Sequence, residues 1–239
     1  MKIGILQTGR VNEALAPVHG EYPQMFARFF AGRGFDFETW PVLDGIVPER
    51  PNLAEGWLIT GSRFGAYEDH PWIPPLESFV RVTYRSGVPM IGICFGHQII
   101  AQALGGKVEK ADTGWSTGRV EYRIEGEDRP LSILAWHQDQ VVEPPADARV
   151  IGSSRECPIA MLDYRGRALT LQPHPEFDSG YVNGLIDTVG QRTLDVHQRR
   201  RARSSLHHDL DSGRIADILA GFLRTRARPG ESGIKPRPT

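Results

Sequence analysis

Short apolar runs alternate along this chain with stretches whose apolar residues recur every three or four positions. Lys2 to Gln7 reads as a first strand. Tyr22 to Arg33 reads as a helix with Tyr22, Met25, Phe26, Phe29 and Phe30 at helical spacing, closed by Gly32 and Gly34. That aromatic stripe is core packing. Phe35 to Val42 and Trp57 to Thr60 read as the next strands, Leu76 to Arg85 as a helix burying Leu76, Phe79, Val80 and Val82, and Val88 to Ile93 as a buried fourth strand. From Lys107 to about Leu171 the pattern changes to short strands with turns: Arg119 to Ile124, Gln140 to Glu143, Val150 to Gly152, Ile159 to Asp163 and Ala168 to Leu171. Asp178 to Gly190 and Ile215 to Leu223 are helical, the first with Val182, Leu185, Ile186 and Val189 on one face.

Strands alternating with helices, followed by a more antiparallel set, predict an α/β fold. The expected layout is a mostly parallel central sheet with helices on both faces, flavodoxin-like, plus a small antiparallel sheet. Ligands of such sheets sit beyond the carboxyl ends of the strands, where Thr60-Gly61-Ser62 and Cys94 would both emerge. The connection GSRFGAYEDHPWIPP, from Gly61 to Pro75, is long and aperiodic, which marks it as functional or disordered. Residues 226 to 239, polar and rich in Pro and Gly, read as a mobile tail.

Composition narrows the function classes. The 239 residues are 40% hydrophobic with a formal net charge of -1, an ordinary soluble globular profile. No apolar run approaches the roughly 18 residues of a membrane helix, and MKIGILQTGR is no signal peptide, so a cytoplasmic location without membrane partners is expected. The near-neutral charge gives no reason to expect nucleic acid, and Arg199-Arg200-Arg201 reads as a solvated helix face. Two distant cysteines, Cys94 and Cys157, suggest neither a disulfide framework nor a metal-binding pair. Cys157 reads as a strand-edge or core residue.

Candidate chemistry concentrates at Gly92-Ile93-Cys94-Phe95-Gly96. A Gly-x-Cys-x-Gly at a strand-to-helix junction has the layout of a nucleophile elbow, whose turn requires small neighbours two positions either side. A sulfur there sits at the positive end of the helix macrodipole. A buried core cysteine in a Gly-rich turn fits the same five residues. Downstream, Gln172-Pro173-His174-Pro175-Glu176 ends the strand RALTLQP. The two prolines are expected to keep this segment extended, so that His174 and Glu176 point to one side and the carboxylate fixes the imidazole tautomer. A surface His-Glu pair is the bland alternative. Together these residues supply a nucleophile, a base and an orienting acid, with backbone donors after the third strand.

On GICFGHQIIAQALGG, LQPHPEF and ITGS, the sequence resembles class I (triad-type) glutamine amidotransferases over roughly residues 1 to 190. The resemblance implies a domain over 1–190, beyond which residues 191–225 read as a C-terminal helical extension. It implies Cys94 as nucleophile, His174 as base and then acid, and Glu176 as its orienting partner. Phe95 N–H and the Gly61-Ser62 backbone would form the oxyanion hole. Gln98 would bind the glutamine part of the substrate, and His137-Gln138-Asp139, similar to the family's His-Gly-Asp, would hold its α-carboxylate and α-amino groups. Gln138 stands where the family usually has glycine, and Gly61-Ser62-Arg63 where Gly-Gly-Pro is more usual. No cofactor and no metal are implied.

The expected activity is hydrolysis of a γ-glutamyl amide in a small-molecule substrate, either glutamine or a γ-glutamyl peptide or conjugate. Some stand-alone family members with a similar Gly-Ile-Cys-Phe-Gly-His-Gln elbow are γ-glutamyl peptidases. Family members also commonly pass ammonia to a synthetase domain or partner, so a glutaminase subunit for a separate synthetase is the alternative. A non-catalytic binding module is the alternative of another class. A metal hydrolase using His137, Asp139, His174 and Glu176 is disfavoured, because a helical His-x-x-x-His pair is lacking and the elbow cysteine would be superfluous.

Overall fold

A computed structural model describes residues 1–226. The expected mobile tail lies outside the described residues, except that Arg226 closes the last helix. The chain runs β1 (Lys2–Leu6), α1 (Ala16–His19), α2 (Tyr22–Phe29), β2 (Asp36–Trp40), β3 (Gly56–Ile59), α3 (Ile73–Ser86), β4 (Met90–Ile93) and α4 (Phe95–Ala103). It continues with β5 (Lys107–Lys110), β6 (Ser116–Ile124), β7 (Leu131–His137), β8 (Asp139–Glu143), β9 (Arg149–Ser153), β10 (Met161–Asp163) and β11 (Ala168–Leu171). The last helices are α5 (Ser179–Asp187), α6 (Gly190–Thr193), α7 (Val196–Ser205) and α8 (Ser212–Arg226).

One nine-stranded sheet, ordered β2-β1-β3-β4-β11-β10-β9-β6-β7, forms the middle of the molecule. Its first five strands are mutually parallel and the other four antiparallel, while β5 and β8 make a separate two-stranded antiparallel sheet. The expected mixed α/β fold with a small second sheet is therefore present. Side-chain alternation divides the core. Trp57 and Ile59 pack with Leu76, Phe79, Val80, Ile99 and Ile100 on one face. Leu58, Ile91 and Ile93 pack with Phe26, Phe30, Ile215, Leu219 and Leu223 on the other.

Local differences from the sequence pattern have physical causes. Helix α3 begins at Ile73, because Pro74 and Pro75 fall in its first turn, where backbone N–H groups have no intrahelical acceptor. Val82 lies on its outer face, 43% exposed, rather than inward. The helical pattern from Asp178 is interrupted at Thr188, separating α5 from α6. Strands β5 and β7 were not expected. β11 belongs with the parallel strands through its register with β4, Leu171 opposite Ile93, although its other neighbour, β10, runs antiparallel. That pairing brings the chain after Leu171 alongside Cys94, whose N–H donates to the Leu171 carbonyl at 2.8 Å.

Candidate active site

Cys94 occupies the step from β4 into α4 with φ 53° and ψ −103°, a backbone conformation that costs a non-glycine residue of order 1–3 kcal/mol. Its neighbours make the turn feasible. A Cβ on Gly92 would lie 2.4 Å from the Gly96 carbonyl oxygen, and one on Gly96 would lie 2.3 Å from that of Ile59. The first turn of α4 is anchored by the Gln98 N–H, which donates to the Cys94 carbonyl at 3.1 Å. Sequence and strain together define the elbow.

His174 reaches Cys94 from the neighbouring strand. Its N–H donates to the Leu134 carbonyl at 2.8 Å, and the Phe177 ring stacks on the imidazole with centroids 3.9 Å apart. The segment is not extended as the flanking prolines suggested. Pro175 and Glu176 form a turn, closed by the Phe177 N–H to the His174 carbonyl at 3.4 Å. The turn brings Glu176 Oε1 to 2.7 Å from His174 Nδ1, with both side chains buried. Burial opposes charge on the His174 ring. The Glu176 carboxylate, followed by the Cys94 sulfur beside the ring, outweighs it and holds the imidazole well above its ordinary range.

Two glutamine amides connect this centre to Asp139. Gln172 Nε2 donates to Cys94 Sγ at 3.6 Å, while Gln98 Nε2 donates to Gln172 Oε1 at 3.2 Å and to the Asp139 carbonyl at 2.9 Å. Asp139 is half-buried, its pKa raised chiefly by that burial, and its Oδ2 accepts the Tyr67 hydroxyl at 3.2 Å. Tyr67 projects from the long loop after β3, 47% exposed. His137 is buried near His174, and burial, then the His174 charge, depress it to about 3, so it is neutral. Neither of its ring nitrogens finds a partner among the described residues. Gln138 links β7 to β8, and its carbonyl accepts the Ala111 N–H at 3.0 Å.

The candidate backbone donors lie at the tips of β3 and β4. Gly61 faces the His174 ring, since a Cβ there would lie 2.8 Å from Cε1. Ser62 Oγ accepts the Phe64 N–H at 3.3 Å, and Phe95 opens α4. His97, adjacent to the elbow, has a different place. It is fully buried, with Nδ1 2.7 Å from the Thr170 hydroxyl and Nε2 3.2 Å from the Ile159 carbonyl. A carbonyl only accepts, so Nε2 carries the proton and Nδ1 accepts from Thr170. Burial lowers this histidine to about 3, which keeps it neutral and structural.

The structure thus gathers Cys94, His174, Glu176, Gly61, Gln98, His137 and Asp139 around one centre, and adds two residues that sequence reasoning missed. Gln172 ends the quoted strand motif and was readable only as a strand end. Tyr67 stands in a loop without periodicity. Cys157 is fully buried, and burial pushes its thiol up to about 12. Among the described residues, no three His, Cys, Asp or Glu side chains converge as a metal site. The chemistry assembled is a thiol, an imidazole held by a carboxylate, and backbone donors, a set suited to acyl transfer.

Comparison with known proteins bears on this set. The family model described as glutamine amidotransferase class-I matches residues 64–184. Gamma-glutamyl peptidase 2 of Arabidopsis thaliana is 30% identical over 239 aligned positions, covering 94% of this chain and 96% of that protein. A 138-residue stretch is 36% identical to the glutamine-hydrolyzing GMP synthase of Azoarcus sp. (strain BH72), covering 51% of this chain and 25% of that one. The crystal structure of a glutamine amido transferase from Methylobacillus flagellatus superposes with a TM-score of 0.76 at 21% identity, covering 98% of each chain, which establishes the likeness of fold.

Proposed function

Because the chain belongs to the class-I glutamine amidotransferase family, we propose that it hydrolyses a γ-glutamyl amide through a Cys94 thioester. The observation that carries this proposal is the strained elbow that sets Cys94 beside an imidazole whose Nδ1 lies 2.7 Å from a buried carboxylate. In this mechanism His174 holds the proton taken from the Cys94 thiol, and the thiolate Sγ attacks the γ-carbonyl carbon. The resulting oxyanion accepts hydrogen bonds from the Ser62 and Phe95 N–H groups, each such donor stabilising the transition state by ~3 kcal/mol. His174 then delivers the proton to the leaving nitrogen as the C–N bond breaks. Water attacks the thioester, giving its proton to His174, and glutamate departs as Cys94 is released as the thiolate. Glu176 keeps Nδ1 protonated throughout, so that Nε2 faces the sulfur.

Asp139 is assigned the substrate's α-ammonium group, because its half-buried carboxylate is placed by Tyr67 and by the Gln98 bond to its own carbonyl. The leaving group is assigned as the amine of a peptide or conjugate, because a protein named gamma-glutamyl peptidase aligns along almost the whole chain. The second reading is a glutaminase that passes ammonia to a separate synthetase, and it rests on the partial match to a GMP synthase. Two free cysteines suit a reducing, cytoplasmic setting for either. No helix among the described residues is long and apolar enough to cross a membrane.

The test is a panel of glutamine, glutathione and γ-glutamyl conjugates, with the purified chain alone and with cell extract added. Amine release from peptides or conjugates by the chain alone supports the first reading. Ammonia release from glutamine only when extract is present supports the second. Absence of γ-glutamyl cleavage in every combination overturns both.

A further inference from the structure

The peptide between Gly61 and Ser62 is held from behind. The Thr60 hydroxyl accepts the Thr8 N–H at 3.0 Å and donates to the Gly61 carbonyl at 3.0 Å. The Thr8 hydroxyl donates to the Thr60 carbonyl at 2.9 Å and lies 3.3 Å from the Gly61 oxygen. Both threonines are fully buried. Gly9 lets the chain after β1 approach closely, since a Cβ there would lie 2.7 Å from the Gly61 oxygen and 2.9 Å from Ser62 Cα. The Gly61 carbonyl is therefore fixed toward the tip of β1.

Strand order gives this a direction. β3 lies between β1 and β4, and Cys94 follows the end of β4. In a planar trans peptide the C=O and the next N–H point opposite ways. A Gly61 carbonyl bound on the β1 side therefore turns the Ser62 N–H toward the β4 side, where Cys94 stands. The chain of donors from Thr8 N–H through the Thr60 hydroxyl to the Gly61 oxygen is directional, and each bond polarises the next.

We propose that Thr60 and Thr8 are positioning residues that lock the Gly61–Ser62 peptide with its N–H toward Cys94, so that the oxyanion site is formed before substrate or any partner arrives. This deepens the thioester mechanism and rests on it. A pinned peptide has no reason to flip, so full turnover requires no second protein to reorient it.

The experiment compares Thr60→Val, Thr60→Ser and Thr8→Val with the unaltered chain, using whichever γ-glutamyl amide the panel identifies. Valine keeps the branched shape and removes the hydroxyl. Thr60→Val is expected to lower kcat by ~10- to 100-fold, somewhat less than deletion of an oxyanion donor costs, because the freed peptide still visits the donating orientation. KM should change by less than about threefold, since uniform binding is untouched. Thr60→Ser, which restores the hydroxyl, should recover most of kcat. Thr8→Val should give a smaller loss, and provides the comparison if Thr60→Val fails to fold.

Iodoacetamide alkylation of Cys94, which uses no oxyanion site, should proceed at the same rate in all variants. An unchanged kcat in Thr60→Val, or a loss that Thr60→Ser does not restore, overturns the proposal. Crystal structures of the unaltered chain and Thr60→Val separate it from the functional reading. If no γ-glutamyl amide is cleaved, a Gly61 carbonyl that points toward Thr8 only when the Thr60 hydroxyl is present still supports the lock. The same orientation in both would refute it.

Discussion

Gly61 lies so close to His174 that a Cβ added to it would stand 2.8 Å from the imidazole Cε1. The ring is also held by Phe177, stacked on its face at 3.9 Å, and by Glu176, 2.7 Å from Nδ1. It has little room to retreat. Gly61→Ala should therefore displace His174 from Cys94 and lower kcat/KM by about 10²-fold, the scale of a misplacement near 1 Å. A steady-state assay on a γ-glutamyl amide checks this, with a thermal melt to confirm that the variant folds.

The charge of His174 is set against its burial by Glu176 and by Cys94. Removing the carboxylate lowers the imidazole's affinity for a proton, so the form carrying the imidazolium is lost at lower pH. Glu176→Gln is expected to shift the alkaline limb of kcat/KM toward neutrality and to reduce its plateau. A full pH profile of both proteins reads the shift directly, and an alkaline limb left in place would contradict the assignment.

In the proposed mechanism the charge of Asp139 meets the substrate's α-ammonium group. Asp139→Asn retains shape and the Tyr67 contact but loses that charge. A charge-assisted hydrogen bond contributes about 1.5–3 kcal/mol, so kcat/KM should fall by roughly 10- to 100-fold, mostly through KM. Tyr67→Phe should cost less, because it removes only the 3.2 Å bond that orients the carboxylate. Separate kcat and KM values for the two variants decide the point.

Acid sensitivity follows from two neutral histidines. Burial holds His97 and His137 to about 3, whereas the unfolded chain protonates histidine near 6.5. Between those values the unfolded state binds more protons, so stability falls as pH drops from about 6.5, by about 1.4 kcal/mol per pH unit for each such group. His174, raised by its partners, stays protonated over that range and adds nothing to the slope. His97→Asn should be less stable at neutral pH yet lose stability less steeply below pH 6.5. Urea midpoints from pH 6.5 to 4.5 measure it.

Much of this site was legible because its parts are local. Gly92-x-Cys94-x-Gly96 encodes a turn that only small neighbours permit, and His174 and Glu176 are two positions apart. Even there the prolines suggested extended backbone, while the structure closes the pair by a turn. What the sequence did not carry is relational. The placement of β11 beside β4 depends on strand order, which no local period encodes. Strand β7, LSILAWH, is an almost continuously buried run without the alternation that marks a half-exposed strand. The amide relay through Gln172 and Gln98, and the threonine pair behind Gly61, join residues from separate strands and helices. Their side chains are ordinary, and only their juxtaposition gives them work.

The most direct measurement is mass spectrometry of the enzyme quenched in acid during turnover of a γ-glutamyl amide. A covalent Cys94 mechanism predicts a γ-glutamyl adduct on the peptide containing Cys94 and none on Cys157, with adduct and product both lost in Cys94→Ala. Product formation that persists in folded Cys94→Ala would contradict it.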